Sequence, residues 1–239
     1  MFSRHDNPAW CAIVFELVKK IEPIMEKGHW SDNRKVVFGT SATGKINGFA
    51  IPIENPEYHA ILLEDGLFGY SDLLAKGLAH MFPVKQPREN LTYVEELARV
   101  EQNIRQHPIL VRRLVDLVLT YVIEGHPYAA EQYSAGESYV GLSSAWFQTF
   151  VTFILAHEFG HVRLGHLTKP PGTSAERRQR EFDADRFGLA ITLAAFPQLE
   201  RLAYSGAGAI FLGFDLLFRA FASFYDHEYD DTGSETHPA

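Results

Sequence analysis

Apolar positions recur along this chain mostly at spacings of three and four, which predicts helices; only between residues 35 and 65 do they crowd into short β-rich runs, which predict a small sheet. Ile13, Val14, Leu17, Val18 and Ile21 mark an amphipathic helix, opened by Asp6 or Asn7 as N-cap with Pro8 at the first helical position. Lys35-Val-Val-Phe38 and Ile46 to Ile53 read as strands, and the turn-like Ser41-Ala-Thr-Gly44 between them predicts a hairpin. His59 to Leu63 is a third strand, expected at the edge of an antiparallel sheet. Gly66 then opens a helical segment with Leu67, Leu73, Leu74 and Leu78, ended by Pro83.

Beyond Pro83 to Pro87, a helical pair is expected over residues 88–125. Leu91, Val94, Leu97, Ala98 and Ile104 mark its first helix, and Pro108 to Glu124 its second, with Gly125 just past the end. His126 to Gly141 is rich in Gly, Ser and Tyr and reads as a long connection, the kind that is often functional. A long helix from about Ser144 to His166 follows, until Lys169-Pro-Pro-Gly172 breaks it. Thr173 and Glu176 have the spacing of a capping box that starts another helix, running to about Ala195 before Pro197. An apolar helix from about Ala203 to Tyr225 precedes the polar tail Asp226 to Ala239. The expectation is one α+β domain over residues 1–239, mostly helical.

Composition narrows the function. Thirty acidic against 22 basic residues give a formal charge of -8, so no excess of cations exists to release counterions from a phosphate backbone, and nucleic acid is not expected as a partner. The single cysteine, Cys11, excludes an intramolecular disulfide framework and a cysteine-rich zinc site and fits a reducing, cytoplasmic location. Ala9 to Phe15 is ended by Glu16 and Lys19-Lys20 before any cleavage site, so no signal peptide is read. The apolar stretches Ala145 to Ala156 and Ala203 to Phe214 fall short of the roughly 20 residues of a bilayer span. They read as core helices, with peripheral membrane contact by the last helix as the lesser alternative.

Candidate chemistry sits in the long helix. His157-Glu158-Phe159-Gly160-His161 places two imidazoles four residues apart on one face, where both can meet one zinc ion at about 2 Å. Glu158 projects to the side, where it can act as general base toward a water that the metal makes acidic. Twenty residues after His161, Glu181-Phe-Asp-Ala-Asp185 begins on the next helix, and a proline-containing turn can fold the two together. Glu181 then supplies a third ligand. Asp185, one turn on, can accept the free ring N–H of a ligating histidine, while Asp183 points elsewhere. The implied activity is hydrolysis of a peptide bond with one zinc ion per chain, protein or peptide as substrate, and the substrate strand added along an exposed edge, His59 to Leu63.

On these residues the chain resembles the gluzincin metallopeptidases and, within them, the HtpX-like and CAAX-prenyl-protease-like group. Ala156 to His161, Glu181 to Phe187 and Asn47-Gly-Phe-Ala50 carry the resemblance. It implies a zincin fold, His157, His161 and Glu181 as zinc ligands, Glu158 as catalytic base, Asp185 as support for a ligand, and residues 47–50 bordering the substrate cleft. Thr236-His-Pro238 is similar to that group's Ser/Thr-His-Pro-Pro segment, but the chain stops at Ala239. The Lit-like phage-exclusion peptidases, which also carry the zincin helix, are a second resemblance.

Other features compete for attention. His166, which sits one residue outside the metzincin spacing, reads as a helix-end residue facing the dipole. Gly39-Thr-Ser-Ala-Thr-Gly44-Lys45 has P-loop spacing, but Ile46 stands where a Ser or Thr is needed, so a hairpin turn is preferred. Trp146, Phe147, Phe150, Phe153 and Ile154, and likewise Phe211, Phe214, Phe218, Phe221 and Tyr225, read as core packing. Tyr133, Tyr139, His126, His237 and Arg186 are the candidate donors to a developing oxyanion. The rival function is a zinc-stabilised binding module that does not cleave, against which an intact Glu158 argues.

Overall fold

A computed structural model describes residues 7–28, 34–55, 57–83, 96–170 and 172–225. In chain order its elements are α1 (Pro8–Lys27), β1 (Lys35–Ser41), β2 (Gly48–Pro52), β3 (Tyr58–Glu64), α2 (Asp65–Met81), α3 (Leu97–Gln106), α4 (Ile109–Glu124), α5 (Val140–Arg163), α6 (Ser174–Ala195) and α7 (Glu200–Tyr225). The architecture is α+β, mostly helical with one small sheet, as the hydrophobic pattern predicts.

From Thr149 to Gly160 every side chain of α5 is buried, so this helix has no water-facing side there and runs through the middle of the molecule. It packs on α6, α2 and α7 and on strands β2 and β3. One hydrophobic cluster joins Ile21 of α1, Ile61 of β3, Phe68 of α2, Phe150 of α5, Ile191 of α6 and Ile210 of α7. Every helix touching α5 therefore shares its core.

The sheet corrects three expectations. Its order is β1-β3-β2, with β1 parallel to β3 and β2 antiparallel to it, so it is mixed and not antiparallel. His59 to Leu63 lies in the central strand, not at an edge. The reason is burial: His59, Ala60, Ile61, Leu63 and Glu64 are all buried, a near-continuous run that suits a strand covered on both faces, whereas β1 has one buried residue and β2 none, and these take the edges. The hairpin is accordingly β2–β3. The segment between β1 and β2 instead crosses toward the start of α2, where the Gly44 N–H donates to Asp65 Oδ1 at 2.7 Å and Thr43 Oγ1 donates to Glu64 Oε1 at 2.8 Å. A Cβ on Gly66 would lie 1.9 Å from the Gly44 carbonyl oxygen, so only glycine admits this crossing. No helix follows Lys45, and the P-loop reading falls.

The helix starts follow their caps. The Asn7 side chain accepts from Ala9 N–H at 3.0 Å, and Thr173 and Glu176 form the reciprocal capping box of α6. Helix α5 begins at Val140, four residues before the expected start, and ends at Arg163, where Arg34 donates to the carbonyls of Val162 and Arg163. Gly165, with φ +68°, then reverses the chain before His166. Leu91, Val94 and the tail with His237 lie outside the described residues.

Helix α7 exceeds its expected length. Residues Pro197–Tyr225 form a helical stretch of 29 residues that is long and apolar enough to cross a membrane by length and composition. Its inner side, with Leu202, Gly206, Ile210, Gly213 and Leu217, packs into the molecule. Tyr204, Leu212 and Phe224 on its outer side are exposed.

Candidate metal centre

Small residues set the spacing between α5 and α6. A Cβ on Gly160 would come 3.1 Å from the Ala184 Cα, and one on Gly188 would come 3.1 Å from the His157 backbone nitrogen and 3.2 Å from the Phe153 carbonyl oxygen. The two backbones therefore touch where larger residues would hold them apart. That contact brings the carboxylates of α6 onto the histidine face of α5.

Three side-chain donors converge there. His157 Nε2 and His161 Nε2 are 3.0 Å apart, and Glu181 Oε2 lies 3.4 Å from the first and 3.3 Å from the second. Atoms bound to one tetrahedral zinc ion at about 2.0–2.1 Å are separated by about 3.3–3.4 Å, so two imidazoles and a carboxylate in this arrangement suit such an ion in both spacing and chemistry. Among the described residues these three form a group able to hold a metal.

Each histidine has a partner behind it. His157 Nδ1 donates to Asp185 Oδ1 at 2.7 Å, so that Nε2 faces the cluster and carries the lone pair when the ring is neutral. His161 is backed differently: its Nδ1 lies 3.1 Å from Nδ1 of the buried His166. Taking Nε2 of His161 as the ligating atom assigns the proton to its Nδ1 and makes His166 the acceptor. His166 is thus not a helix-dipole residue. Gly165 turns the chain so that the ring comes back onto His161, a geometry that spacing alone did not reveal. Asp183 accepts instead from Gln179 at 3.1 Å.

The titration behaviour follows from this crowding. Burial opposes charge on His157, but its hydrogen bonds to Asp185 and Glu181, aided by the Glu158 charge, win and push its pKa up to about 10. Burial would raise Glu181, yet hydrogen bonds to both histidines hold it down to about 2. Glu158 is raised, first by its own burial, against the pull of the two histidines and a hydrogen bond from the Ala50 backbone N–H. Burial and the adjacent His161 push His166 down to about 4. Three carboxylates around two imidazoles make a pocket that demands positive charge.

Glu158 and His157 also line a cavity of about 240 Å³. Asn47, Gly48 and Tyr121 also line it, while Phe153, Phe211, Phe214, Leu217 and Phe221 supply apolar wall. Phe153 and much of the α7 seam therefore face a cavity, and core packing alone does not describe them. The four candidate oxyanion donors among the described residues lie elsewhere: Tyr133 donates to the Leu73 carbonyl at 3.0 Å, Tyr139 packs on His80, His126 sits beside Tyr128, and Arg186 is exposed. None of them lines this cavity. Asn47 and Gly48, which do, belong to the 47–50 stretch expected at the cleft; Tyr121 escaped sequence reasoning because nothing local ties α4 to α5. The connection after α4 is pinned to α2 by Tyr133 and to α4 by the Glu131 N–H on Asp116, and none of its residues reaches this cavity.

A family model described as Peptidase U49 matches residues 91–239, more than half of the chain and the whole of α5 and α6. No curated protein and no solved structure matches the chain.

Proposed function

Because the chain belongs to the Peptidase U49 family, the family of the Lit-like resemblance, we propose that its peptidase activity is that of a gluzincin, with His157, His161 and Glu181 holding one zinc ion. A zinc ion held there supplies a Lewis acid and lowers the pKa of water toward about 7. Glu158 takes the proton of the attacking water and passes it to the leaving amine. Its burial and raised pKa suit it to hold that proton between the two transfers, and the Ala50 N–H keeps its carboxylate oriented. Asp185 fixes the tautomer of His157, and His166 does the same for His161.

The observation that carries this reading is the convergence of His157 Nε2, His161 Nε2 and Glu181 Oε2 within 3.0–3.4 Å of one another. A base buried beside those donors and lining a cavity supports hydrolysis over a merely structural metal, which would have no use for it. With β3 paired on both sides, the substrate backbone adds to the β2 edge, the strand beside α5.

The experiment is metal analysis of the purified chain together with a search for newly formed protein termini, comparing wild type with Glu158→Gln. One zinc per chain in both, with hydrolysis about 10²–10⁴-fold lower in the variant, is expected. Undiminished hydrolysis by Glu158→Gln overturns the assignment of the base, and a wild-type chain that takes up no zinc overturns the metal centre.

A further inference from the structure

The cavity beside Glu158 is larger and more apolar than proton transfer requires. From its lining we infer that it receives one large apolar side chain, aromatic or leucine-like, from the substrate residue adjoining the bond that is cut. This inference rests on the hydrolase reading above and names its substrate class.

The wall is built from side chains of several elements. Phe153 of α5 meets Phe211 of α7 edge-on at 5.2 Å between ring centroids, and Tyr121 of α4 meets Phe221 of α7 in the same way at 6.2 Å. An apolar cavity of about 150 Å³ accepts benzene, so about 240 Å³ has room for a phenyl or branched aliphatic side chain.

Polarity decides which way such a guest lies. Glu158, His157, Asn47 and Tyr121 are the polar members of the lining, and the Tyr121 hydroxyl oxygen already accepts from the Ile46 N–H at 3.1 Å. A guest with an apolar body and a peptide group at its root therefore puts the peptide group beside Glu158 and the body among the phenylalanines. A charged side chain among those rings loses its hydration, and the one carboxylate in the lining, Glu158, is already engaged by the two histidines and the Ala50 N–H. Gly48 keeps the β2 wall thin: a Cβ there would meet Leu63 Cδ2 at 2.8 Å and Ile154 Cγ2 at 3.1 Å.

The test begins from a peptide cut by the zinc-loaded wild type, with the residues on either side of the mapped bond varied in turn through Phe, Leu, Ala, Asp and Lys. At one of the two positions, kcat/KM for Phe or Leu should exceed that for Ala, Asp and Lys by about 100-fold, since even one methylene in such a pocket is worth about 10–200-fold. Ile46→Trp, a change in a half-buried loop that narrows the cavity, should shift the preference toward Ala by at least tenfold, and Phe218→Trp at the half-exposed rim is the second narrowing variant. Binding is read separately, by saturation-transfer NMR on Glu158→Gln with N-acetyl-phenylalaninamide and N-acetyl-alaninamide.

Selective ring signals that Ile46→Trp abolishes, found without any cleavage by wild type, would leave the pocket standing and remove the hydrolase reading. Cleavage with equal rates for all five residues, or a preference for Asp or Lys, overturns the pocket assignment and leaves hydrolysis intact. Absence of both cleavage and selective binding overturns both.

Discussion

Helix α5 has two working sides, and they are built on opposite principles. Toward α6 it presents Gly160 and the backbone of His157, and α6 answers with Ala184 and Gly188, so the helices meet backbone to backbone and the polar side chains are fixed by one another. Toward α7 it presents Phe153 and Ile154, and the answering rings of Phe211, Phe214 and Phe221 leave space between them. A tight seam of small residues sets positions to fractions of an ångström, which ligands to one ion require. A wall of large residues leaves a volume, which a guest requires.

The most damaging way to break this contrast is to widen the seam. Gly188→Val pushes side-chain atoms against the His157 backbone and should cost about 1–3 kcal/mol by overpacking, lowering Tm by about 2–4 °C per kcal/mol. It should also abolish stoichiometric zinc uptake. Thermal unfolding with metal analysis checks both, and an unchanged Tm with one zinc per chain would mean that the seam is not tight.

Next in size is loss of the support behind the first histidine. Asp185→Ala should weaken zinc binding by about 10–100-fold, measured by competition with a chromophoric chelator. His166→Ala should weaken it by about tenfold, the lower end of the same range, because a neutral ring supports its neighbour less than a carboxylate does. His166→Asn, which restores an acceptor, should recover part of the loss; equal affinities for wild type and both His166 variants would remove that ring from the site. The smallest effect is expected on the outside of the wall, where Leu212 is 60% exposed. Leu212→Gln should move stability by no more than about 0.5 kcal/mol in urea unfolding and leave cleavage preference unchanged.

The two sides also differ in how readily a sequence reveals them. The seam is local: His157 to His161 is one turn of helix, Glu181 to Asp185 another, and a capping box with a proline break announces where the second begins. Glu181 and Asp185 could therefore be matched to the histidines before any coordinates. The contact of His166 with His161 was hidden because it depends on the positive φ of Gly165, which folds a residue beyond the helix end back onto it. The wall is assembled from α4, α5, α7 and the loop before β2, elements far apart in the chain, so its phenylalanines looked like ordinary core. Strand order failed for a related reason. Hydrophobic runs locate strands, but the competition for the sheet centre was decided by which run was apolar on both faces, and β3 won it over the hairpin that the Ser41 to Gly44 turn suggested.

Strand β2 holds a last lesson. Its Ala50 N–H reaches Glu158, and its free edge is where a bound peptide would pair. If Glu158 is the base proposed above, a peptide pairing there would lie one amide away from the group that carries its proton.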